Sequence, residues 1–522
     1  MSSDSSLRPG WRGFYSRTHI LSGRADVDME DVRPGLSRAQ RRKYVAAALG
    51  VLLLGASLRG HALGRFSLGN DEIHEVRWSR LPWPRMLSAA KREGVHPPLD
   101  YCVQTLLDRT GAPEWARRLP SVLAGVATIG LTIFLAGRWF GPIAGIAGGL
   151  LLALSPIHVR YSQEVRPYAL GVMFLMASLA ALEAFRERPR AVHGAGWFLS
   201  VLAAAYTLYF AGLIAALAGI AFIWTFRRTS TRPLWRALPL TVLGWTLLYL
   251  PWLPVIFSAA RSAPPGVAPE RLDRAWAASR LEAFGTGDWK AEPVSIGSWA
   301  FWLLVAAGLV SARRSRFAAV AAVWLLGGAA IQVAILQLRP HYPAARYLLP
   351  SGMAAVVLAA AGVASARVRR ATWLWLAALV AVTLIIAYDA RSLHSYFSEG
   401  RPQWREVAVF LRERAKPGES LVAANSWVFR NLGYYWNEAG EPPPTVALEH
   451  SRTDVAGPAW LVLAVCPTNA AARRELDALP LAAEFPLTNH CEIRYVPASR
   501  TVHVAGLCAG DSNDFGDPRL GR

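Results

Sequence analysis

The stretch LPSVLAGVATIGLTIFLAG, from Leu119 to Gly137, runs its whole length without a charged residue. A soluble helix buries one face and shows polar or charged residues on the other. A membrane span instead needs roughly 20 predominantly apolar residues to cross about 30 Å of hydrocarbon. Ala371–Ala387, Pro293–Ala312, Phe317–Leu338 and Ala237–Ala260 repeat the pattern. A charge at mid-bilayer costs about 2.5–3.5 kcal/mol on the insertion scale, so repeated long gaps in charge point to lipid. The chain reads as an all-α polytopic membrane protein.

Of the 522 residues, 53% are apolar and 18% charged, and the formal net charge is +20. That charge does not indicate nucleic acid, because of where it sits. Arg41, Arg42 and Lys43; Arg186, Arg188 and Arg190; Arg227, Arg228, Arg232 and Arg236; Arg313, Arg314 and Arg316; and Arg367, Arg369 and Arg370 form short clusters between apolar runs. They fall in alternate loops, as the positive-inside rule requires. Window reading places about eleven transmembrane helices, near 44–58, 119–137, 139–157, 167–185, 191–208, 211–226, 237–260, 293–312, 317–338, 347–366 and 371–388. The uncharged run Ala191–Phe226 reads as a hairpin turning near Tyr206–Gly212. An odd count puts the N-terminus in the cytoplasm and the C-terminus outside, with every cluster inside.

The expected organisation has three parts. Residues 1–43 form a polar cytoplasmic segment, 44–388 the transmembrane domain, and 389–522 a small extracytoplasmic α/β domain. The first span shows no small-residue cleavage site and reads as uncleaved. Within the transmembrane part, 59–118 is a long external loop with Pro82, Pro84, Pro97 and Pro98, expected to form interfacial helices anchored by Trp78 and Trp83. In the tail, Gln403–Ala415 and Ala470–Leu479 read as helices, and Ser420–Ala424 and Ala459–Val465 as strands. Of the four cysteines, Cys102 lies in the first loop; a pairing such as Cys466–Cys491 and reduced thiols both fit the rest.

Candidate chemistry gathers at the outer ends of the spans. Asp71 and Glu72 follow the first span; adjacent carboxylates can serve as base and as metal or acceptor ligand, although an isolated Asp-Glu is more often a solvated loop. His96 precedes Pro97-Pro98, whose fixed backbone can aim it at a phosphate or can simply make a turn. Between the third and fourth spans lie Glu164, Arg166 and Tyr168, and an arginine there can clamp a lipid phosphate bidentately or merely meet headgroups. Arg339, His341, Arg346 and Tyr347 form a basic group outside, where topology does not call for one. No P-loop, dinucleotide fingerprint, zinc spacing or Gly-x-Ser-x-Gly elbow occurs, so nucleotide-driven chemistry has no support.

In order, Asp71-Glu72, His96-Pro97-Pro98-Leu99-Asp100-Tyr101, Arg117-Arg118-Leu119-Pro120-Ser121, Tyr161-Ser162-Gln163-Glu164-Val165-Arg166-Pro167-Tyr168, Ala345-Arg346-Tyr347-Leu348-Leu349-Pro350 and Gln403-Trp404-Arg405-Glu406-Val407-Ala408 resemble a known family. The set is similar to the GT-C glycosyltransferases related to protein O-mannosyltransferases and aminoarabinose lipid A transferases, above all to bacterial membrane mannosyltransferase-like proteins. The resemblance implies a bacterial inner-membrane enzyme. It would transfer a sugar from a polyprenyl-phosphate donor, with inversion, to a glycan, lipid or protein hydroxyl. It implies Asp71 as the base with Glu72 beside it, and Arg166, Arg346 and Tyr347 at the donor phosphate and lipid. His96 stands where the lipid A transferases carry lysine. Glu164, Tyr168 and His341 are further site candidates. Some relatives bind a divalent cation near the acids, which would fall to Asp71 and Glu164. Two other readings compete. A transporter or flippase predicts internal repeats and ionisable residues inside spans. A non-catalytic scaffold predicts that Asp71 is dispensable.

Overall fold

The computed structural model describes residues 37–261, 273–287, 294–311, 315–338, 345–368, 372–399, 403–423, 426–438, 448–450, 454–464, 474, 476–485 and 491–503. Among these, eight helices are long and apolar enough to cross a membrane. They include α1 (Arg38–Gly60), α6 (Leu119–Phe140), α9 (Tyr168–Glu187), α11 (Tyr209–Phe226), α18 (Leu349–Val368) and α19 (Thr372–Glu399). The other two are α12 (Arg232–Tyr249) with its continuation α13 (Leu253–Arg261), and α16 (Arg316–Ala322), which passes through a π segment at Val323–Gly327 into α17 (Gly328–Leu338).

Three of the eleven expected spans are shorter helices: α7 (Pro142–Leu154, 13 residues), α10 (Ala191–Thr207, 17 residues) and α15 (Ile296–Ser311, 16 residues). Window hydropathy runs through chain breaks that backbone geometry imposes. Gly141, at φ 96°, ends α6, and Pro156 opens α8 (Pro156–Tyr161) directly after α7. The expected hairpin turn is a single extended residue, Leu208, between α10 and α11.

Lipid provides no hydrophobic drive between helices, so small residues and close backbone approach hold a bundle together. The alanine- and glycine-rich α18 is the central helix, with 83% of its apolar window buried, against 17% for α1 and α19. It meets α15 at two glycines. A Cβ on Gly308 would lie 2.1 Å from the Leu358 carbonyl oxygen, and one on Gly362 would lie 2.2 Å from that of Leu304. Outward faces carry exposed leucines and tryptophans such as Leu53, Leu240 and Trp373, as a lipid-facing surface does.

The loop between α1 and α6 forms α2 (Asn70–Ser79), α3 (Trp83–Glu93), α4 (Leu99–Arg109) and α5 (Glu114–Arg117). Trp78 and Trp83, expected as membrane anchors, are half-buried against Met86, Tyr101 and Trp252, and Arg109 covers the Trp83 ring at 5.0 Å. They therefore pin these helices to one another. Further along, α14 (Arg274–Gly285) lies between α13 and α15.

After α19, which continues past the expected span end to Glu399, come α20 (Trp404–Arg414) and α21 (Ser426–Glu438). The strands are β1 (Ser420–Ala423), β2 (Leu448–His450), β3 (Asp454–Ala456), β4 (Ala459–Leu463), β5 (Leu481–Phe485), β6 (Cys491–Val496) and β7 (Thr501–His503). One sheet has the order β2-β1-β4-β6-β5, with β1 parallel to both β2 and β4 and β6 antiparallel to β4 and β5; β3 and β7 form a separate antiparallel pair. Half of the expected helix 470–479, and Cys466 with any pairing it makes, lie outside the described residues; Arg474, Leu476 and Asp477 are helical.

This α/β unit seats on α2. Leu68, Ile73, Val76 and Val165 share an apolar cluster with Trp404, Val407, Leu411, Leu432 and Tyr435. Polar contacts fix the seat. The Ser67 hydroxyl donates to Glu406 at 3.0 Å and accepts the Arg405 N–H at 3.1 Å, the Leu68 N–H donates to the Tyr435 hydroxyl at 2.5 Å, and Arg405 bonds Glu114 at 2.6 Å.

The close α15–α18 crossing gives a test with an internal control. Gly362→Ala pushes a methyl against a backbone carbonyl and should lose about 1–3 kcal/mol, the usual penalty of overpacking. Gly50→Ala on α1, with open space around it, should be neutral or raise the unfolding temperature in detergent slightly.

Candidate functional site

Three span ends and the first loop meet at one corner, and buried arginines hold it. At the end of α1, Arg59 is fully buried and donates to the carbonyls of Gly55, Leu152 and Ala153, the last two closing α7, and to His158 Nδ1 at 2.7 Å. Terminal helix carbonyls lack intrahelical partners, so a guanidinium satisfies several at once. Gln163 Nε2 does the same for Leu58, Arg59 and His61 at 2.8–3.2 Å.

At the start of α6, Arg118 is buried and bonds both Glu72 oxygens, at 2.9 and 3.0 Å, and the carbonyls of Leu63, Phe66 and Ser67. Glu72 further accepts the N–H groups of Gly69 and Val165, each at 2.9 Å, and through Gly69 caps the start of α2. Four donors occupy the Glu72 carboxylate. Glu72, expected beside the base, thereby ties α2, α6 and the loop before α9 together.

Asp71, its neighbour in the first turn of α2, faces the other way and is partly open, with 40% of its side chain exposed. Arg346, in the turn Ala345–Leu348 before α18, reaches Asp71 Oδ2 at 3.3 Å. Arg166 donates to the Asp71 backbone carbonyl and to Glu75 Oε2, each at 3.3 Å, and lies 2.5 Å from His96 Nε2. Desolvation raises the Asp71 carboxyl, but Arg166, Arg346 and His74 outweigh it and hold it below the ordinary carboxylate range, so Asp71 is anionic at neutral pH.

His96 is buried and turned inward. A guanidinium can only donate, so Nε2 must accept and the neutral ring carries its proton on Nδ1. Burial, then Arg166 and Arg346, keep its pKa well below the usual value. His96 thus braces Arg166. Tyr168 lies buried under both arginines, its ring 5.7 Å from Arg166 and 5.8 Å from Arg346. Its hydroxyl and Arg346 Nε have no hydrogen-bond partner among the described residues. Tyr347 meets the Tyr168 ring at 6.5 Å and lies beneath Arg346.

Glu164 is drawn away by Arg160 at 3.0 Å. Among the described residues no group of three or more His, Cys, Asp or Glu can hold a metal. Asp71 and Glu164 face different arginines, so the residues present do not fit the divalent cation that the resemblance allowed. His341 and Arg339 lie outside the described residues.

Three contributors went unassigned in the sequence reading. Glu75 and Asp100 are buried behind Arg166, and Arg430 of α21 bonds Asn70 Oδ1 at 3.0 Å beside Asp71. The i,i+4 spacing of Asp71 and Glu75 was the available signal for the first, since it puts both on one face of a helix. Nothing in the sequence pattern points to Arg430.

A many-spanned membrane protein with an anionic aspartate and two arginines at its span ends is the class these features define, and its fold is the GT-C glycosyltransferase fold. Residues 95–256 match the model of the family described as dolichyl-phosphate-mannose-protein mannosyltransferase. Crystal structures of ArnT from Cupriavidus metallidurans, bound to undecaprenyl phosphate and in the apo state, are similar at TM-scores of 0.50 and 0.51. They are 16% and 17% identical in sequence, and each match covers 88% of this chain and 98% of that one. The archaeal oligosaccharyltransferase AglB from Archaeoglobus fulgidus, in complex with an inhibitory peptide and a dolichol-phosphate, is 12% identical over 76% of this chain and 64% of its own, at a TM-score of 0.49. No curated protein matches the chain by sequence.

The two adjacent acids separate in a stability measurement. Arg118→Met leaves Glu72 buried and uncompensated and should lower stability by about 3–5 kcal/mol. Asp71→Asn, at a partly open position, should change it by no more than about 0.5 kcal/mol. Unfolding temperatures of the two purified variants against the parent protein read the difference.

Proposed function

We propose that the protein is a membrane glycosyltransferase that moves a sugar from a polyprenyl-phosphate donor to an acceptor hydroxyl at the external membrane face, with inversion at C1. The observation that carries this reading is the meeting of Asp71 with Arg346 at 3.3 Å and with Arg166 through its backbone. ArnT with undecaprenyl phosphate bound supports the donor class. In this reading 1–43 is cytoplasmic and 389–522 extracytoplasmic, so the acceptor arrives from the side of the α/β unit.

The chemistry follows from charge. Asp71, held as an anion, takes the proton of the acceptor hydroxyl as its oxygen bonds C1 from the face opposite the phosphate. The C1–oxygen bond to phosphate breaks, and the leaving lipid phosphate gains one negative charge. Arg166 and Arg346 stand ready to neutralise it, and Arg346 Nε is a donor not yet engaged among the described residues. A lipid phosphate stays at the interface, which is why its partners belong at span ends. Tyr168 and Tyr347 supply the floor beneath the cations.

Purified protein given a panel of radiolabelled polyprenyl-phosphate sugars should consume one of them. Asp71→Asn should lower kcat by about 10²–10⁴-fold, the ordinary worth of a general base. An Asp71→Asn protein with undiminished transfer would remove the proposed base. In the parent protein, kcat/KM should hold its value as pH falls until below about 3.9, the free aspartate value, because the two arginines depress the Asp71 pKa. Arg346→Gln should shift that acid limb upward and raise the donor KM.

A further inference from the structure

Behind the exposed corner lies a second carboxyl group pair that the mechanism above does not use. Glu75 sits one helical turn after Asp71 on α2, and Asp100 is the second residue of α4, which packs against α2. Both are buried, at 0% and 1% exposure. Glu75 Oε2 accepts from Arg166 at 3.3 Å. With both acids ionised, Glu75 Oε1 and both Asp100 oxygens have no donor among the described residues. Two buried carboxylates would then face a single guanidinium. Leaving buried acceptors unmet costs about 1–3 kcal/mol each, more when they are charged.

We propose that Glu75 and Asp100 share one proton and, as a singly charged pair, position the Arg166 guanidinium for the donor phosphate; loss of that proton weakens donor binding. One proton supplies the missing donor, since a protonated carboxyl hydrogen-bonds its ionised neighbour, and the remaining single charge balances Arg166. The Asp71 carboxylate also acts on Arg166, but it is paired with Arg346 at 3.3 Å. His96 is neutral because its Nε2 accepts from Arg166. Glu93 of α3 faces the pair but is engaged by His74 at 3.0 Å. Tyr101 and Cys102 of α4 face it as neutral groups, and Asp71 turns its backbone carbonyl toward Arg166.

Burial raises both acids. Glu75 is lifted well above its usual value, with Asp100 adding to the shift, and Asp100 is pushed up to about 6 although Arg166 opposes it. Two such groups titrate as a pair, in two steps. A raised folded-state value means that a proton is present below it and lost as pH rises through it: the pair sheds its first proton from about pH 6, at Asp100, and the shared one only at higher pH, as Glu75 titrates. The second negative charge then draws Arg166 inward and leaves the buried cluster net negative, which opposes the donor phosphate.

The effect on the donor rests on the transferase reading; the shared proton does not. A polyprenyl-phosphate sugar is a phosphodiester and keeps one charge throughout, so its own titration cannot mimic the effect. The parent protein's donor KM should climb by about tenfold as pH rises from 6 to 9, an electrostatic change of ordinary size for one buried charge. Asp100→Asn, whose amide is a permanent donor to Glu75, should hold the low KM across that range to within about twofold. Asp100→Ala should show a high KM at every pH with kcat within about threefold, the split expected of a positioning residue. Independently of transfer, infrared spectra of the parent protein at pH 6 should contain a protonated-carboxyl band that Asp100→Asn removes. Absence of that band, or a KM that rises with pH in Asp100→Asn as in the parent, overturns the proposal. A band present in a protein that consumes no donor supports the shared proton and counts against the transferase reading alone.

Discussion

The contact on which the site depends is the buried pair of Arg118 and Glu72. Arg118 enters at the head of α6 and Glu72 lies in the first turn of α2, so their two-pronged bond sets the angle at which the first loop leaves the membrane helices. The N–H of Val165 on the same carboxylate adds the loop before α9. Once these three segments are joined, Asp71 and Glu75 have no freedom left. Adjacent helical positions face different ways, so Asp71 points to the open corner while Glu72 turns onto Arg118; Glu75, four positions on, shares the face of Asp71 and lies behind it under Arg166.

The same device recurs around the corner. Arg59, Arg118 and Arg166 are all buried where spans end, and each is surrounded by backbone carbonyls or acids rather than by lipid. Helix ends leave carbonyls unpaired, and an apolar neighbourhood makes unpaired groups costly. Guanidinium groups therefore stabilise the bundle exactly where they also create positive potential at membrane level. Unlike these three, Arg346 meets its acid at a partly open position, which leaves it free to exchange that partner for another anion.

Several residues of the motifs that carry the family resemblance prove to be mortar. Glu72 is saturated by four donors, Gln163 closes the end of α1, and Trp404-Arg405-Glu406 seats the α/β unit on Ser67 and Glu114. Seating that unit brings Arg430 to Asn70, next to Asp71. Residue type and order could not separate these roles, because a carboxylate beside an arginine looks alike in sequence whether it holds or reacts. What separates them is the number of donors each oxygen meets and whether any face of it stays open.

The membrane class, the hairpin at Ala191–Phe226, the helical first loop and the strands at 420 and 459 were legible in the chain, because hydropathy, charge placement and period act over neighbouring residues. Helix lengths were less so: the apolar window 139–157 runs on through Gly141 and Ser155, where the backbone turns. The meeting of Asp71, Arg166 and Arg346 joins residues far apart in the chain, and only packing decides it. Glu75 and Asp100 were visible as letters, but their burial behind Arg166 follows from the way α2 lies on α4. Local sequence thus determined which segments enter lipid, while tertiary contacts decided which charged groups face one another, since that depends on direction in space rather than order along the chain.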